Sequence, residues 1–113
     1  MHLTAELYYS YGVRIEINPS ALAHGITPNE IRAVINNYEL RFSIPTRLAN
    51  VDANNYLYIG RPADNEPWIE LIADHADADV RVIFHAMMLR PSTIAALDHV
   101  GTALTPQYSR QRR

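Results

Sequence analysis

The segment Val80-Arg81-Val82-Ile83-Phe84-His85-Ala86-Met87-Met88-Leu89-Arg90-Pro91 decides how the fold is interpreted. Its long apolar run predicts a buried strand, and Pro91 followed by Ser92 predicts the start of a helix. His85 lies in the middle of this strand and Arg90 at its exit. Because burial disfavours a charged imidazole that has no partner, His85 requires either a hydrogen-bonded place in the core or a chemical role.

Length and composition predict one compact domain. The chain has 113 residues, of which 48% are hydrophobic. We expect the domain to span residues 1–104 and a mobile tail to occupy residues 105–113, where little can be buried. The sequence has neither a run of about 18 apolar residues nor a signal-peptide pattern, so we expect a cytoplasmic protein with no membrane partner.

The charged residues restrict the chemistry. The net charge is −2, which differs from the strongly positive charge of proteins that hold many phosphates, so a nucleic-acid site must be local. All ten basic residues are arginine and no cysteine occurs, which excludes lysine catalysis, disulfides and thiolate metal ligands. Guanidinium groups remain available to bind phosphate or carboxylate through paired hydrogen bonds.

The first half of the chain predicts a strand and a helix. Residues 13–17 alternate apolar and polar side chains, which is the pattern of a strand with one wet face. Thr27, Pro28 and Glu30 form the capping-box pattern that begins a helix. The apolar residues Ile31, Val34, Ile35 and Tyr38 then recur at helical spacing, which predicts a helix over residues 28–37.

The second half predicts an antiparallel meander and a last helix. Turn-rich spacers separate four extended segments, at residues 40–44, 55–60, 68–74 and 80–89. The last helix carries an apolar stripe of Ile94, Leu97 and Val100. The fold class is therefore α+β, with a small antiparallel sheet of about four to five strands packed with one helix from the N-terminal half and one C-terminal helix.

Three motifs in this order resemble BrnT-type toxins of the RelE superfamily. They are His24-Gly25-Ile26 before the first helix, Tyr58-Ile59-Gly60-Arg61 at the end of a middle strand, and the strand Val82 to Arg90 before the last helix. The resemblance covers roughly residues 13–97. It implies a RelE-like fold and a small ribonuclease of a toxin–antitoxin module, which cleaves RNA without metal or cofactor and inhibits translation and growth.

The same resemblance implies partners. These are a cognate antitoxin that neutralises the toxin and forms an oligomeric complex with it, and RNA in a ribosomal context. The chain departs from the toxin pattern at Ala23, where such toxins carry a basic residue, and at Arg90, which replaces a richer arginine cluster. These departures, the acidic balance and the Tyr-rich residues 8–11 support an alternative, a non-catalytic interaction module with the same fold.

Four residues are candidates for catalysis. Cleavage of RNA by its own 2′-hydroxyl needs a base, an acid and a cation near the phosphate. His85, Glu70 and either Arg90 or Arg61 can fill these roles, and Glu70 meets His85 if their strands pair. Structural interpretations stay open: a neutral core histidine on the face of Ile83, a carboxylate on the solvent face, and an arginine that contacts helix-end carbonyls or a surface carboxylate.

Three further residues are candidates for RNA binding. Tyr58 and Trp68 offer aromatic surfaces for bases, and His24 precedes the positive end of a helix. Core packing for the two aromatic residues and a turn contact for His24 are the structural alternatives. Residues 74–79 alternate oxygen ligands but lack the glycine and distal glutamate of an EF-hand, so we interpret them as a hairpin turn and predict no metal site.

Overall fold

A computed structural model of the chain describes residues 6–10, 12–44, 54–97, 108 and 110–112. In chain order, its elements are β1 (Glu6–Ser10), β2 (Val13–Ile17), a 3₁₀ turn (Pro19–Leu22), α1 (Pro28–Asn36), β3 (Leu40–Ser43), β4 (Asn55–Gly60), β5 (Ile69–Asp77), β6 (Val80–Met88) and α2 (Pro91–Leu97). The strands form one sheet in the order β1-β2-β6-β5-β4-β3. The predicted α+β class is confirmed.

The sheet is mixed rather than purely antiparallel. β3 to β6 form the antiparallel meander that the spacers predicted, and β1 adds a hairpin strand beside β2. β2 pairs with β6 in parallel, with Ile15 opposite Arg81 and Ile17 opposite Ile83. After β2, the chain crosses through α1 to β3 at the far edge of the sheet. The antiparallel meander then leads back across the sheet, and its last strand, β6, lies beside β2 and runs parallel to it.

Helix α1 begins where its capping box predicted. Thr27 Oγ1 accepts a hydrogen bond from Glu30 N at 3.2 Å, and Glu30 Oε1 accepts one from Thr27 N at 3.0 Å. The helix buries Ile31 and Val34 against the sheet. Within the residues described, neither helix has the length and apolar character that a membrane crossing requires.

Two apolar clusters cover the two faces of the sheet. The larger cluster lies on the side of α1, which we call the α1 face, and includes Ile15, Ile31, Val34, Tyr58, Leu71 and Ile83. The smaller cluster lies on the other side, which we call the α2 face. It contains Ile59 and Leu89, against which Leu40, Phe42, Leu57, Trp68 and Ile94 pack. Successive residues of a strand point to opposite faces, so this division assigns every strand residue to one of two environments.

A bulge in β6 changes the face on which His85 lies. Ala73 of β5 pairs with Ile83, whereas the preceding Ile72 pairs with His85, so Phe84 is the extra residue. Regular alternation predicts that His85 shares the face of Ile83. That prediction is wrong, because the bulge leaves Ile83 in the core on the α1 face and turns His85 to the α2 face.

The C-terminal end contacts the domain. Gln111 Oε1 accepts a hydrogen bond from Met88 N at 3.1 Å, and Gln111 Nε2 donates one to Met88 O at 2.6 Å. Arg112 forms two hydrogen bonds with the Glu30 carboxylate, at 2.6 and 2.8 Å. These residues belong to the tail that we expected to be mobile, whereas Val100 and the boundary at residue 104 lie outside the described residues.

Gly60 provides a test of the packing between β4 and α1. A Cβ atom at this position would lie 3.2 Å from Tyr38 Cα and 3.4 Å from Val34 Cγ1. Because the nearer atom is backbone, Gly60→Ala should lower the free energy of unfolding by about 1–3 kcal/mol. Urea unfolding followed by circular dichroism measures this. The control is Ser43→Ala at an exposed position of β3, and an equal effect of the two variants would contradict the packing.

Candidate active site around Glu70 and His85

Glu70 is the centre of a polar cluster on the α2 face. Its strand neighbours are Ile59 on β4 and Met87 on β6, and the residue is 0% exposed. The expectation that Glu70 occupies a solvent face is wrong. The first turn of α2 covers this part of the sheet and places Thr93 against the carboxylate.

Both carboxylate oxygens of Glu70 are hydrogen-bonded. Oε1 accepts from Arg90 N at 3.0 Å and from Thr93 Oγ1 at 2.7 Å. Oε2 accepts from Arg90 Nη2 at 2.8 Å and lies 3.0 Å from His85 Nε2, while Arg90 Nε is 3.2 Å from both oxygens. This carboxylate therefore joins β5, the end of β6 and the first turn of α2.

The hydrogen bonds decide the charge of Glu70. Burial by itself would raise the pKa of the carboxyl, but the bonds from His85, Arg90 and Thr93 lower that pKa to about 2. The hydrogen bond to Glu70 raises the pKa of Arg90. At neutral pH, Glu70 is therefore an ionised carboxylate that can only accept hydrogen bonds.

Glu70 also orients the imidazole of His85. Because the carboxylate only accepts, His85 Nε2 carries a hydrogen and donates it. In the neutral ring, Nδ1 is then the nitrogen that can take up a proton. The His85 side chain is 22% exposed, so part of it is accessible to solvent. A carboxylate that orients an accessible imidazole is an arrangement suited to general base catalysis.

The 3₁₀ turn brings a second imidazole to this ring. Ser20 Oγ donates a hydrogen bond to Phe84 O at 2.8 Å, which fixes the turn against the bulge of β6. His24 follows this turn, and its ring centroid lies 6.4 Å from that of His85. Sequence motifs proposed both histidines as site residues, but the closeness of their rings depends on the folded chain.

A cavity opens beside the cluster. Its volume is about 390 Å³, and its polar lining comes from Glu70, Arg90, Ser92 and Thr93. The Arg90 side chain is 42% exposed, so the arginine contacts both the buried carboxylate and solvent. The cavity can therefore admit a polar group to the neighbourhood of Arg90.

The structure places the candidates Arg61 and Trp68 in a separate group. Arg61 Nη1 donates to Asp64 O at 2.6 Å, and Arg61 Nη2 lies 3.4 Å from a Glu39 carboxylate oxygen. The guanidinium carbon is 4.9 Å from the centroid of the Trp68 ring. In the described contacts, Arg61 thus pairs with the loop after β4 and with Trp68, and it does not join Arg90 in one cluster.

The candidate Tyr58 lies on the α1 face, on the opposite side of the sheet from Glu70. The residue is only 2% exposed, and its hydroxyl is 2.7 Å from His75 Nε2. Its buried ring therefore does not offer a stacking surface.

Three residues of the polar clusters were not among the sequence candidates. They are Arg41 and Arg81, which line a cavity with Tyr58, and Thr93, which contacts Glu70. For Thr93 a signal existed, since it lies three residues after Arg90 in the first turn of α2.

The pairing of Glu70 gives a stability prediction. Glu70→Gln keeps the shape of the side chain but leaves Arg90 without a carboxylate, so the free energy of unfolding should fall by about 2–4 kcal/mol. The matched control is Glu16→Gln, which breaks the more exposed ion pair with Arg14 and should cost less than about 1 kcal/mol. Urea denaturation compares both variants, and equal losses would contradict the buried pairing.

The lowered pKa of Glu70 predicts a pH dependence. The carboxyl titrates near pH 2 when folded and near its ordinary value of 4.5 when unfolded. Between these values the unfolded state binds more protons, so the contribution of Glu70 to stability is complete above about pH 4.5 and is lost as the pH falls towards 2. The free energy of unfolding should decrease less over this window in Glu70→Gln than in the unsubstituted protein. Urea titrations at several pH values test this, and parallel curves would exclude the shift.

Among the described residues, no group of three or more His, Asp or Glu side chains is arranged to hold a metal ion.

Comparison of the chain with protein-family models, with curated proteins and with solved structures finds no match. The observation that bears on function is therefore the arrangement of Glu70, His85 and Arg90.

Proposed function

We propose that this protein is a cytoplasmic, toxin-type endoribonuclease that cleaves RNA without a metal ion. The observation that carries the proposal is the hydrogen bond between the ionised Glu70 carboxylate and the accessible His85 ring, next to Arg90. Phosphodiester cleavage through the 2′-hydroxyl requires proton transfer and stabilisation of negative charge, and imidazole and guanidinium supply these two functions.

In the proposed reaction, His85 Nδ1 accepts the proton of the 2′-hydroxyl while that oxygen attacks phosphorus. The bond from phosphorus to the 5′-oxygen breaks, and the leaving oxygen takes a proton from an acid. His24, whose ring is the nearest second imidazole, is the residue proposed for this step. The products are a 2′,3′-cyclic phosphate and a 5′-hydroxyl, with His24 deprotonated and His85 protonated at the end of the step.

Arg90 is the residue proposed to stabilise the charge on the phosphate. Its guanidinium already neutralises Glu70, so the attraction that it offers to a phosphate is smaller than that of an unpaired arginine. The exposed part of the side chain beside the cavity is what supports this role. We therefore expect modest cleavage of free RNA, and a ribosomal context would add the binding energy that the site lacks.

One observation favours a second candidate function. Thr93, Arg90 and His85 satisfy both oxygens of Glu70, as expected of a network whose task is to join β5, β6 and α2. In this alternative the domain is a non-catalytic interaction module. Both candidates include a protein partner, which for the ribonuclease is a neutralising antitoxin.

Substitution of the site residues separates the two functions. In the presence of a chelator, His85→Ala should lower the rate of RNA cleavage by about 10²–10⁴-fold, because the reaction loses its base. Arg90→Gln should lower it as well. The matched control is Arg14→Gln, an arginine of β2 outside the site, which should retain the rate. Gel analysis of labelled RNA, with the cyclic phosphate end identified, is the measurement.

Expression in cells extends the same experiment. The unsubstituted chain should arrest growth when it is expressed without its antitoxin, and His85→Ala should not. Undiminished cleavage by folded His85→Ala protein would remove the proposed site. A purified protein that releases no cyclic phosphate from free or ribosome-bound RNA would instead support the interaction module.

A further inference from the structure

A second cluster of charged and aromatic side chains lies on the α1 face, on the other side of the sheet from Glu70 and His85. Its members come from the connection between α1 and β3 and from β3, β4, β5 and β6. They are Tyr38, Arg41, Tyr56, Tyr58, His75 and Arg81. No step of the proposed cleavage uses them. We call this group the Arg41–Arg81 cluster.

Arg41 is held by aromatic rings instead of a carboxylate. Its guanidinium carbon lies 5.2 Å from the ring centroid of Tyr38, 5.3 Å from that of Tyr56 and 6.0 Å from that of Tyr58. Within the described part of the chain, Arg41 forms no ion pair. Cation–π contacts orient a guanidinium without neutralising its charge, so this charge remains available to an anion.

Arg81 is held by backbone carbonyls. Its Nη1 donates to the carbonyl oxygens of Asp77, Ala78 and Val80 at 3.1, 3.2 and 3.2 Å, at the hairpin between β5 and β6. The described residues place no carboxylate in an ion pair with it. The carbonyl bonds hold the guanidinium in place without removing its positive charge.

The charges of both arginines act on the ring of His75. Its ring stacks on Tyr56 with 3.9 Å between centroids, and Nε2 is 2.7 Å from the Tyr58 hydroxyl. Burial and the charges of Arg81 and Arg41 lower the pKa of His75 to about 4, although the nearby Asp74 acts in the opposite direction. The ring is therefore neutral at neutral pH, and among the charges that act on it each arginine has a larger effect than Asp74.

A cavity of about 170 Å³ adjoins the two arginines. Its apolar lining comes from Val13, Ile15 and Ile35. Tyr38, Arg41, Tyr58 and Arg81 line the same cavity, and Arg81 is the strand neighbour of Ile15. The volume equals that of about five to six water molecules, which is enough for one phosphate or one ring and too small for a longer segment.

We propose that the Arg41–Arg81 cluster binds one nucleotide unit, with its phosphate between the two guanidinium groups and its base on the ring of Tyr38, a residue that is 40% exposed. Two arginines that form no ion pair within the described residues are suited to a phosphate, and an exposed tyrosine is suited to any base. The unit is either a free nucleotide or part of an RNA strand. The proposal concerns binding only and stands whether or not RNA is cleaved on the α2 face.

Binding of adenosine monophosphate to the full chain tests the proposal. The mononucleotide contains no phosphodiester bond, so cleavage cannot affect the result. Calorimetry should show that Arg41→Gln and Arg81→Gln each weaken binding by at least about tenfold, since each removes a charged hydrogen bond to the phosphate. Arg14→Gln makes the same change of charge on β2 and should alter binding by less than about twofold.

Two further comparisons identify the parts of the ligand. Tyr38→Leu should weaken the binding of adenosine monophosphate more than that of inorganic phosphate, because the base loses its contact while Arg41 keeps its contacts with the rings of Tyr56 and Tyr58. A short oligoadenylate that binds more tightly than the mononucleotide, and loses this affinity in Arg41→Gln, identifies an RNA strand as the ligand. Equal affinities identify a free nucleotide.

Defined outcomes would overturn the proposal. They are the absence of binding by both the mononucleotide and the oligonucleotide, or an Arg14→Gln effect as large as that of Arg41→Gln, which would indicate diffuse attraction to the surface. The Arg81→Gln protein could unfold because the hairpin loses its carbonyl contacts. In that case Arg41→Gln by itself tests the binding of phosphate, since Arg41 is exposed and contacts the rings of Tyr38 and Tyr56, so its replacement should leave the fold intact.

Discussion

The buried carboxylate of Glu70 forms the hydrogen bonds on which the α2 face of this structure depends. An isolated carboxylate is costly to bury, and this one is tolerated because Arg90, Thr93 and His85 surround it with hydrogen bonds. The same bonds hold the first turn of α2 on the sheet and fix the imidazole of His85. Structural and chemical roles therefore share one set of contacts, and α2 cannot move without exposing the carboxylate.

The bulge at Phe84 determines which groups meet. It allows Ile83 to remain in the core on the α1 face while His85, two residues later, reaches Glu70 on the α2 face. Arg81 precedes the bulge and lies on the α1 face beside Tyr58. One strand thereby supplies a histidine to one polar cluster and an arginine to another, and the sheet itself separates the two clusters. Their chemistry can accordingly be altered separately.

Local sequence signals predicted much of the architecture. The Thr27–Glu30 capping box begins α1, the turn-rich spacers separate the strands of the meander, and Pro91 begins α2. These signals succeed because each acts within a few residues. Strand alternation gave the wrong face for His85, because the extra residue in β6 moves this side chain to the other face of the sheet. The sequence pattern also did not predict the parallel pairing of β2 with β6, because this pairing joins segments that are far apart in the chain.

The sequence by itself determined the α+β class, the position of most elements and the chemical types available: arginine, histidine and carboxylate, without lysine or cysteine. Only the tertiary structure decided which of these groups are neighbours. It placed His24, His85, Glu70 and Arg90 together, assigned Arg61 to Trp68, and surrounded Arg41 with tyrosines. The physical reason is that sheet register, a single bulge and the cover of α2 set side-chain distances and burial, and none of these is a property of a local segment.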